Sequence, residues 1–448
     1  MLKIDLKTDC VDTRHALSIL QRNTDELGIF VDLDICTDYI AYFNECVYRG
    51  MQVLWKIGMP RSLNTNSPTE SVQLFRDVFG IPAMKLVRGG YGGNSSGLTV
   101  NDTKRDELLE DPEISDDVKL LIKLFSIMST WKHTLSALKS YSNHPPLKVH
   151  DFEGHKITLI KPKWNALATH RFSSKDPNIQ GLKRSIKDIY THLENQILVY
   201  SDSSQIEPRI KWSHFTRDEL IINLINLYGD AYYGLLHYVT MNDDDRQRGV
   251  VQKSELDKGN RDTLKTLVLA TSYGSVDGKF DPVIYAKTKQ HIQNHPKHIE
   301  WVDEVTRQVR SGARVFYTAF GTPIHPQEND RYKLGDKGWE KHLVRCGINN
   351  PIQGTSAEFA KISLKKIDTE LSLHARSPFS AVAGNIHDAN MTYLALQDKE
   401  LLPEIDDVLA YEVDGWAKIP CETKLGRQAG LDREDNEKVL NQCVARFM

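Results

Sequence analysis

Two aspartates of this sequence, Asp202 and Asp388, have the side chains and the surroundings of metal ligands. Asp202 closely follows the apolar run Ile197–Tyr200, which predicts a buried strand, and Asp388 lies at the tip of a hairpin predicted over residues 379–396. A carboxylate at the end of a rigid strand is held firmly enough to bind Mg²⁺, which prefers oxygen ligands. Together the two could hold two metal ions roughly 3.5–4 Å apart for an in-line phosphoryl displacement. Either aspartate alone is more often a helix cap or a turn residue.

A regular stripe of side chains follows a predicted helix of about 13 residues that ends near Gly274. Its members recur every four residues and are Arg261, Lys265, Leu269 and Tyr273. Asn260 suits the N-cap of this helix. The stripe runs from two cations through an apolar side chain to an aromatic ring, an order that fits a nucleoside triphosphate. The phosphates would lie on the cations, the sugar on the leucine and the base beside the tyrosine. A solvated face with one aromatic anchor is the alternative, and the spacing alone leaves it open.

A third segment, Asn349–Thr355, carries polar amides before and inside an amphipathic helix that is predicted to follow Pro351. Amides at such a position often satisfy backbone groups at a helix end. Gly354 is harder to explain, because glycine inside a helix costs up to ~1 kcal/mol relative to alanine. We therefore expect another backbone or a ligand to approach this glycine closely.

The composition is that of a folded protein whose charges nearly cancel. The 448 residues are 26% charged and 40% hydrophobic, with 57 basic and 60 acidic side chains. This balance excludes a disordered chain and a protein that binds nucleic acid through a uniformly basic surface. The positive excess lies in the middle, where residues 251–350 hold 16 basic and 12 acidic side chains. The six cysteines form no CxxC pair, which argues against a zinc site or a disulfide scaffold.

The elements that would position these residues are mostly helical. Helical periodicity covers residues 1–50, 113–141 and 214–315. Strands are predicted at 157–160 and 197–200. Residues 89–97 are almost all turn formers and lack the GK[ST] ending of a phosphate-binding loop, so we expect a mobile loop there. No apolar run reaches the roughly 18 residues of a membrane span, and the N-terminus resembles neither a signal nor a transit peptide.

Five segments, taken in order, resemble the motifs of the DNA polymerase I family, known as family A. Asp202–Arg209 resembles motif A, D-Y-S-Q-I-E-L-R, and Arg261–Gly274 resembles motif B, R-x3-K-x7-Y-G. His387-Asp388 resembles motif C, H-D-E, Thr169–Gln180 is similar to T-G-R-L-S-S-x-x-P-N-L-Q of the palm, and Asn349–Thr355 is similar to N-x-P-x-Q-G-T. Residues 64–75 resemble, more weakly, the thumb segment that grips the duplex. Five motifs in family order make the resemblance specific.

The resemblance implies a right-hand polymerase fold of the α/β (α+β) class, with an antiparallel-sheet palm and mainly helical fingers and thumb. The implied segments are a short N-terminal segment at 1–25, the thumb at 26–150, the first part of the palm with motif A at 151–213, the fingers at 214–345 with the motif B helix at 261–274, and the second part of the palm with motif C at 346–448. Few residues precede the implied thumb, so we expect no proofreading exonuclease domain in this chain.

By the same resemblance the chain is a DNA-directed DNA polymerase that extends a primer 3′-hydroxyl and releases pyrophosphate. Asp202 and Asp388 would hold two Mg²⁺ ions, with Mn²⁺ as a substitute, and these aspartates and Lys265 would be the catalytic residues. The residues that would contact the incoming dNTP are Arg261, Lys265, Leu269, Tyr273, Gln205, Glu207 and Tyr232. Those that would contact primer-template DNA are Arg171, Gln180, Arg345, Asn349, Gln353, His387, Asn64 and Ser67.

Four residues depart from the family pattern. Leu269 replaces an aromatic residue that packs on the incoming sugar, and Tyr232 replaces a histidine that contacts the triphosphate. Pro208 replaces a leucine of motif A, and Ala389 replaces the third acidic residue of motif C. None removes an implied metal ligand, so the changes bear on fidelity, speed and sugar discrimination. Because Leu269 lacks a phenolic hydroxyl, we expect poor use of dideoxynucleotides.

Two other functions fit parts of the pattern. Single-subunit RNA polymerases have a similarly spaced motif B helix, but they carry a small residue where this chain has Glu207, which would block a ribose 2′-hydroxyl. A catalytically inactive DNA-binding accessory subunit would have lost metal or triphosphate residues, whereas Asp202, Lys265 and Asp388 are present. We expect a monomer in the cytoplasm of a bacterium or a phage-infected cell, away from membranes, with a separate exonuclease or processivity factor as a further partner.

Overall fold

The structure is a computed structural model that describes residues 1–87, 98–143, 149–272, 282–327, 338–386, 389–407, 410–427 and 430–448. The side chains of residues 103, 184 and 269–272 are left out of the description. The loop predicted at 89–97 therefore lies outside the described residues.

Helices outnumber strands among these residues. The α-helices are α1 (Thr13–Glu26), α2 (Leu33–Lys56), α3 (Pro68–Gln73), α4 (Asp102–Glu110), α5 (Asp116–Ser142), α6 (Ile206–Ile210), α7 (Glu219–Tyr228), α8 (Ala231–Thr240), α9 (Asp243–Arg248), α10 (Lys258–Ser272), α11 (Pro282–Thr288), α12 (Pro296–Arg310), α13 (Trp339–His374), α14 (Leu402–Asp407) and α15 (Arg433–Phe447). The strands are β1 (Leu2–Ile4), β2 (Ile29–Asp32), β3 (Val149–Phe152), β4 (His155–Ile160), β5 (Lys163–Ala166), β6 (Phe172–Lys175), β7 (Gln196–Ser203), β8 (Phe316–Tyr317), β9 (Pro323–Ile324), β10 (Ala381–Ile386), β11 (Ala389–Ala395), β12 (Tyr411–Val413) and β13 (Cys421–Leu425).

The chain divides into two compact units. The first comprises residues 1–29, 161–175 and 194–426, and the second comprises residues 30–160, 176–193 and 427–448. The chain therefore passes between the units several times, and each unit is assembled from segments that are far apart in the sequence.

A four-stranded antiparallel sheet with the strand order β10-β11-β7-β13 is the centre of the first unit. Helices α1 and α13 pack against β10, and α13 also packs against β11. Strands β7 and β11 are buried along most of their length, which fits their content of Ile, Leu, Val and Tyr side chains. The buried strand predicted at 197–200 and the hairpin predicted at 379–396 are confirmed as β7 and as β10 with β11.

Helices α7, α8, α10 and α11 form a second core in the same unit. Trp212, Leu235, Leu264 and Leu267 are fully buried in this cluster. The predicted start of the helix that carries Arg261 is wrong by three residues, because α10 begins at Lys258. The side chain of Asp257, not of Asn260, takes the capping position: its carboxylate accepts the backbone N–H of Asn260 at 2.8 Å.

Helix α13 is 36 residues long and contains Pro351 in its interior, so the prediction that the helix starts after this proline is wrong. A proline inside a helix removes one backbone hydrogen bond and is unfavourable on its own. Packing outweighs that cost, because Trp339 and Leu343 in the first turns of α13 are buried against Val305 and Phe316. Tertiary contacts therefore extend the helix beyond its local stop signal.

The second unit contains a three-stranded sheet of order β2-β4-β3 and the long helices α2 and α5, which pack on each other and on α15. Asp32 and Ser115 cap the N-termini of α2 and α5 with their side chains. The helical prediction for residues 1–50 missed strand β2, whose four residues are all buried. The strand predicted at 157–160 is confirmed as part of β4.

Within the described part of the chain, the helices are too short or too polar to serve as membrane-spanning segments.

Candidate active site

Asp202 lies near the end of β7, where two neighbouring strands flank it. Asp202 is paired with Ala389 on β11 on one side and with Glu422 on β13 on the other. Side chains of directly opposed residues share one face of a sheet, and Asp202 is exposed on that face although most of β7 is buried. His387 and Asp388, which precede Ala389 in the sequence, lie outside the described residues.

Glu422 is a carboxylate that sequence reasoning missed. It is exposed, and the hydroxyl of Ser204 donates to its Oε1 at 3.2 Å. The opposite face of the same strand pair carries Ser201 and Thr423, whose hydroxyls lie 3.5 Å apart. Glu422 therefore shares the face of Asp202 and adds a second negative charge beside it.

The loop after β7 is held by Arg209, a residue to which the sequence analysis assigns no role. Its guanidinium donates to the carbonyl oxygens of Ser204 at 3.0 Å, Gly229 at 2.6 Å and Lys418 at 2.5 Å. Burial lowers the pKa of Arg209 to about 10, so the side chain stays charged at neutral pH. One buried cation thus connects the loop after β7 with two chain segments that are distant in the sequence.

Asp230, also missed in the sequence, connects two of the predicted dNTP contacts. Its Oδ2 accepts a hydrogen bond from Gln205 Nε2 at 2.6 Å and another from Arg261 Nη2 at 2.6 Å. Burial alone would raise the pKa of Asp230, but the hydrogen bonds from Arg261, from the backbone of Tyr233 and from Gln205 outweigh it and hold the pKa below its ordinary value. Asp230 is therefore an ionised carboxylate between the loop after β7 and α10.

The two predicted triphosphate ligands share one aromatic ring. The Arg261 guanidinium and the Lys265 ammonium lie 5.4 Å and 5.7 Å from the centroid of Tyr232. Cations at such distances are attracted to the ring face. The helical spacing predicts that Arg261 and Lys265 share one face of α10, and the structure places both beside Tyr232 of α8. The side chain of Leu269 and the whole of Tyr273 lie outside the described part of the chain.

Arg171 and Glu207 form an ion pair in this unit. The guanidinium donates to Glu207 Oε1, and the two side chains are 22% and 20% exposed. Glu207 lies in the first turn of α6, five residues after Asp202. Arg171, which is predicted to contact DNA, therefore holds Glu207, which is predicted to face the sugar of the nucleotide.

Three further predicted DNA contacts follow one face of α13. Arg345, Asn349 and Gln353 are spaced by four residues, so they lie along one side of the helix. A close approach to Gly354 is confirmed, but side chains come nearest and not the expected backbone or ligand, since a Cβ at this position would lie 2.7 Å from Ile324 Cδ1 and 2.8 Å from Thr318 Cγ2. The neighbour is the β8–β9 hairpin of the protein itself.

The remaining predicted DNA contacts, Asn64, Ser67 and Gln180, lie in the second unit. Ser67 caps α3, and Asn64 accepts the N–H of Asn66 at 2.9 Å. Asn64 and Ser67 are neighbours in the sequence of residues that line a cavity of about 860 Å³, whereas Gln180 is not. Its lining includes Thr65, Asn66, Arg76, Arg105 and Lys132. The cavity wall combines hydroxyl, amide and basic groups.

The second unit also holds Asp32, Asp34 and His155, whose potential ligand atoms all lie within 4.8 Å of one another. Asp32 is fully buried, and its Oδ2 lies 2.8 Å from Arg427 Nη1 and 3.0 Å from His155 Nδ1. Its other oxygen accepts two N–H groups at the start of α2. A guanidinium thus already neutralises this carboxylate.

Comparisons with known proteins give the family of this chain. The model of DNA polymerase family A matches residues 51–427. The curated DNA polymerase I of Caldicellulosiruptor bescii is 22% identical over 395 residues, which cover 85% of this chain and 42% of that protein. The thermostable DNA polymerase I of Thermus thermophilus is 26% identical over 325 residues, which cover 69% of this chain and 35% of that protein. This chain thus spans less than half the length of these two relatives.

A solved structure has a similar fold. The POL domain of Pol1 from M. smegmatis, solved in complex with DNA primer-template and dNTP, matches with a TM-score of 0.70 and 18% identity over 93% of this chain and 69% of that chain. The fold class expected from the sequence is confirmed, while the thumb, palm and finger boundaries and a phage source stay predictions. With a family model matched over most of its length, this chain belongs to DNA polymerase family A.

Proposed function

We propose that this chain is a template-directed DNA polymerase that adds deoxynucleotides to a primer 3′-hydroxyl and releases pyrophosphate. The observation that carries the proposal is the sheet register around Asp202, whose partner on β11 is Ala389, the residue that follows Asp388 in the sequence. Family membership supports the same activity.

The proposed ligands of two Mg²⁺ ions are Asp202 and Asp388, and Mn²⁺ would substitute. The donor set suits such ions, because Asp202 is exposed at a strand end beside the carboxylate of Glu422 and Mg²⁺ takes oxygen ligands. Bound there, the ions would lower the pKa of the primer hydroxyl and stabilise the leaving pyrophosphate. The cluster of Asp32, Asp34 and His155 is a poorer candidate for binding these ions, because Arg427 already pairs with Asp32.

The triphosphate would bind Arg261 and Lys265. A guanidinium can hold a phosphate through two parallel hydrogen bonds, and an ammonium acts as a compact point charge. Both cations lie close to the ring of Tyr232, and the exposed side chain of Lys265 could follow the leaving group. Leu269 and Tyr273 would face the sugar and the base, as the family resemblance implies.

Selection of the deoxy sugar would depend on Glu207. Its carboxylate is held by Arg171, so it cannot swing away at no cost to make room for a 2′-hydroxyl. This contact favours a DNA polymerase over an RNA polymerase, in which a small residue would leave room for the hydroxyl.

Primer-template DNA is the proposed macromolecular partner. Besides Arg171, the proposed contacts are Gln180, Arg345, Asn349, Gln353, His387, Asn64 and Ser67. Contacts in the minor groove would test the shape of a base pair without reading its sequence, because the acceptors there lie in similar places in every correct pair. We further propose a monomer that acts in the cytoplasm.

Extension of a labelled primer on defined templates, in the presence of Mg²⁺, tests the proposal. We expect products whose sequence follows the template, and we expect Asp202→Asn to reduce synthesis to background while duplex binding is retained. The matched control is Asp12→Asn, which changes an exposed capping aspartate of α1 and should leave synthesis unchanged.

Three results would count against this function. Synthesis by Asp202→Asn at the level of the unmodified protein would contradict the metal assignment. Preferential use of ribonucleotides in a mixed reaction would favour an RNA polymerase. DNA binding without synthesis by the unmodified protein, unaffected by Asp388→Ala, would favour an accessory subunit.

A further inference from the structure

We propose that Asp230 is a positioning residue for nucleotide binding, which acts by holding Arg261 and Gln205 on one carboxylate oxygen. This inference rests on the proposed polymerase function. It adds a residue that belongs to none of the motifs by which the site was predicted.

The two oxygens of Asp230 have separate tasks. Oδ1 accepts the backbone N–H groups of Tyr232 at 2.9 Å and Tyr233 at 2.8 Å and so caps α8. Oδ2 accepts the hydrogen bonds of Gln205 and Arg261, both at 2.6 Å. Because the cap needs only Oδ1, Oδ2 is available to hold Gln205 and Arg261.

Gln205 is fixed at both ends of its amide. Its Nε2 donates to Asp230, and its Oε1 accepts the N–H of Ala231 at 2.5 Å. The backbone of Gln205 has a φ of 53°, in the left-handed region that non-glycine residues seldom adopt. Its side-chain contacts therefore help to hold an unfavourable backbone conformation three residues after Asp202.

Arg261 is held in place before any nucleotide arrives. Its Nη2 donates to Asp230, its Nη1 donates to Asp262 at 2.8 Å, and the rings of Tyr232 and Tyr233 lie 5.4 Å and 5.5 Å from the guanidinium. A guanidinium has five N–H donors, so these two hydrogen bonds leave donors for a phosphate. A cation that is already ordered loses less conformational freedom on binding.

The charge at Asp230 has two opposing effects on a triphosphate. It repels the anion, and it orders the arginine that attracts it. We infer that the ordering effect prevails. Arg261 also forms an ion pair with the partly exposed Asp262. Without Asp230, the guanidinium would turn towards Asp262 and away from the stripe that it shares with Lys265.

The test is Asp230→Asn, which keeps an oxygen for the α8 cap and replaces the acceptor of Gln205 and Arg261 with an NH₂ group. We expect the KM for dNTP to rise about tenfold, since hydrogen bonds to charged groups are lost. We expect kcat to change by less than about threefold and duplex affinity to stay the same. Asp12→Asn is the matched control, because it makes the same change at the cap of α1.

A double-mutant cycle separates positioning from a purely structural role. In an Arg261→Ala background, most of the effect of Asp230→Asn on KM should disappear, whereas a loss of folding stability would persist. If Asp230→Asn is unstable, Asp230→Ser, which also suits an N-cap, is measured in the same way.

An unchanged KM in a folded Asp230 variant, or an effect that persists in full without Arg261, would overturn this inference alone. Failure of the unmodified protein to extend a primer or to bind dNTP on a primer-template would overturn both this inference and the proposed function.

Discussion

Replacement of Arg209 by lysine tests how the loop after β7 is held. The arginine residue is 1% exposed, and its guanidinium donates to the carbonyls of Ser204, Gly229 and Lys418. A lysine carries its charge on one nitrogen at the end of a single stem, so it cannot reach three acceptors that lie in different directions. We expect Arg209→Lys to keep one of the three hydrogen bonds.

The two lost hydrogen bonds set the size of the effect. Each hydrogen bond to a charged group contributes about 1.5–3 kcal/mol, so two of them correspond to about 3–6 kcal/mol of unfolding free energy. Water that enters the space can satisfy part of what is lost, so we expect a value near the lower limit, about 3 kcal/mol.

Urea denaturation followed by tryptophan fluorescence measures this loss, because Trp212 is fully buried in the same unit. The matched control is Arg310→Lys, in which the exposed arginine keeps Glu340 within reach of the new ammonium. Such a surface pair contributes only about 0–1 kcal/mol. If Arg209→Lys costs no more than Arg310→Lys, the three carbonyl contacts do not hold the loop as described.

Three further outcomes are expected. Glu207→Ala should raise the use of ribonucleotides relative to deoxynucleotides about tenfold or more, measured in one competitive primer-extension reaction. Leu269→Tyr should improve the use of dideoxynucleotides, and equal use of both substrates by the unmodified protein would contradict this. Burial lowers the pKa of His214 from 6.5 to about 4. Between these pH values the unfolded chain binds a proton at His214 that the folded protein does not bind. The free energy of unfolding therefore falls as the pH drops through this range. His214→Phe should therefore narrow the difference between urea midpoints at about pH 7.5 and about pH 5.

Features with a local signature could be predicted from the sequence. The apolar run that became β7 predicts a buried strand, because it is short and rich in branched side chains. The spacing of Arg261 and Lys265 predicts a shared helix face, and the structure sets both beside Tyr232. Such patterns depend only on the geometry of one element.

Features that depend on distant segments could not be predicted in this way. Glu422 reaches the face of Asp202 through the register of β13 with β7, and no local pattern specifies that register. Asp230 looks like an ordinary helix cap in the sequence, and its second oxygen acquires a role only when Arg261 is placed beside it. Pro351 carries a local stop signal that long-range packing of α13 overrides.

The pairing of β7 with β13 has a consequence for biosynthesis. Asp202 and its partner Glu422 are 220 residues apart in the chain. At about 5–20 residues per second, a ribosome needs roughly 10–45 s to make the stretch between them. Until then one edge of β7 is unpaired and Arg209 lacks the carbonyl of Lys418. An exposed strand edge can pair with other chains, so the nascent chain is open to aggregation at β7 during the interval in which this site is incomplete.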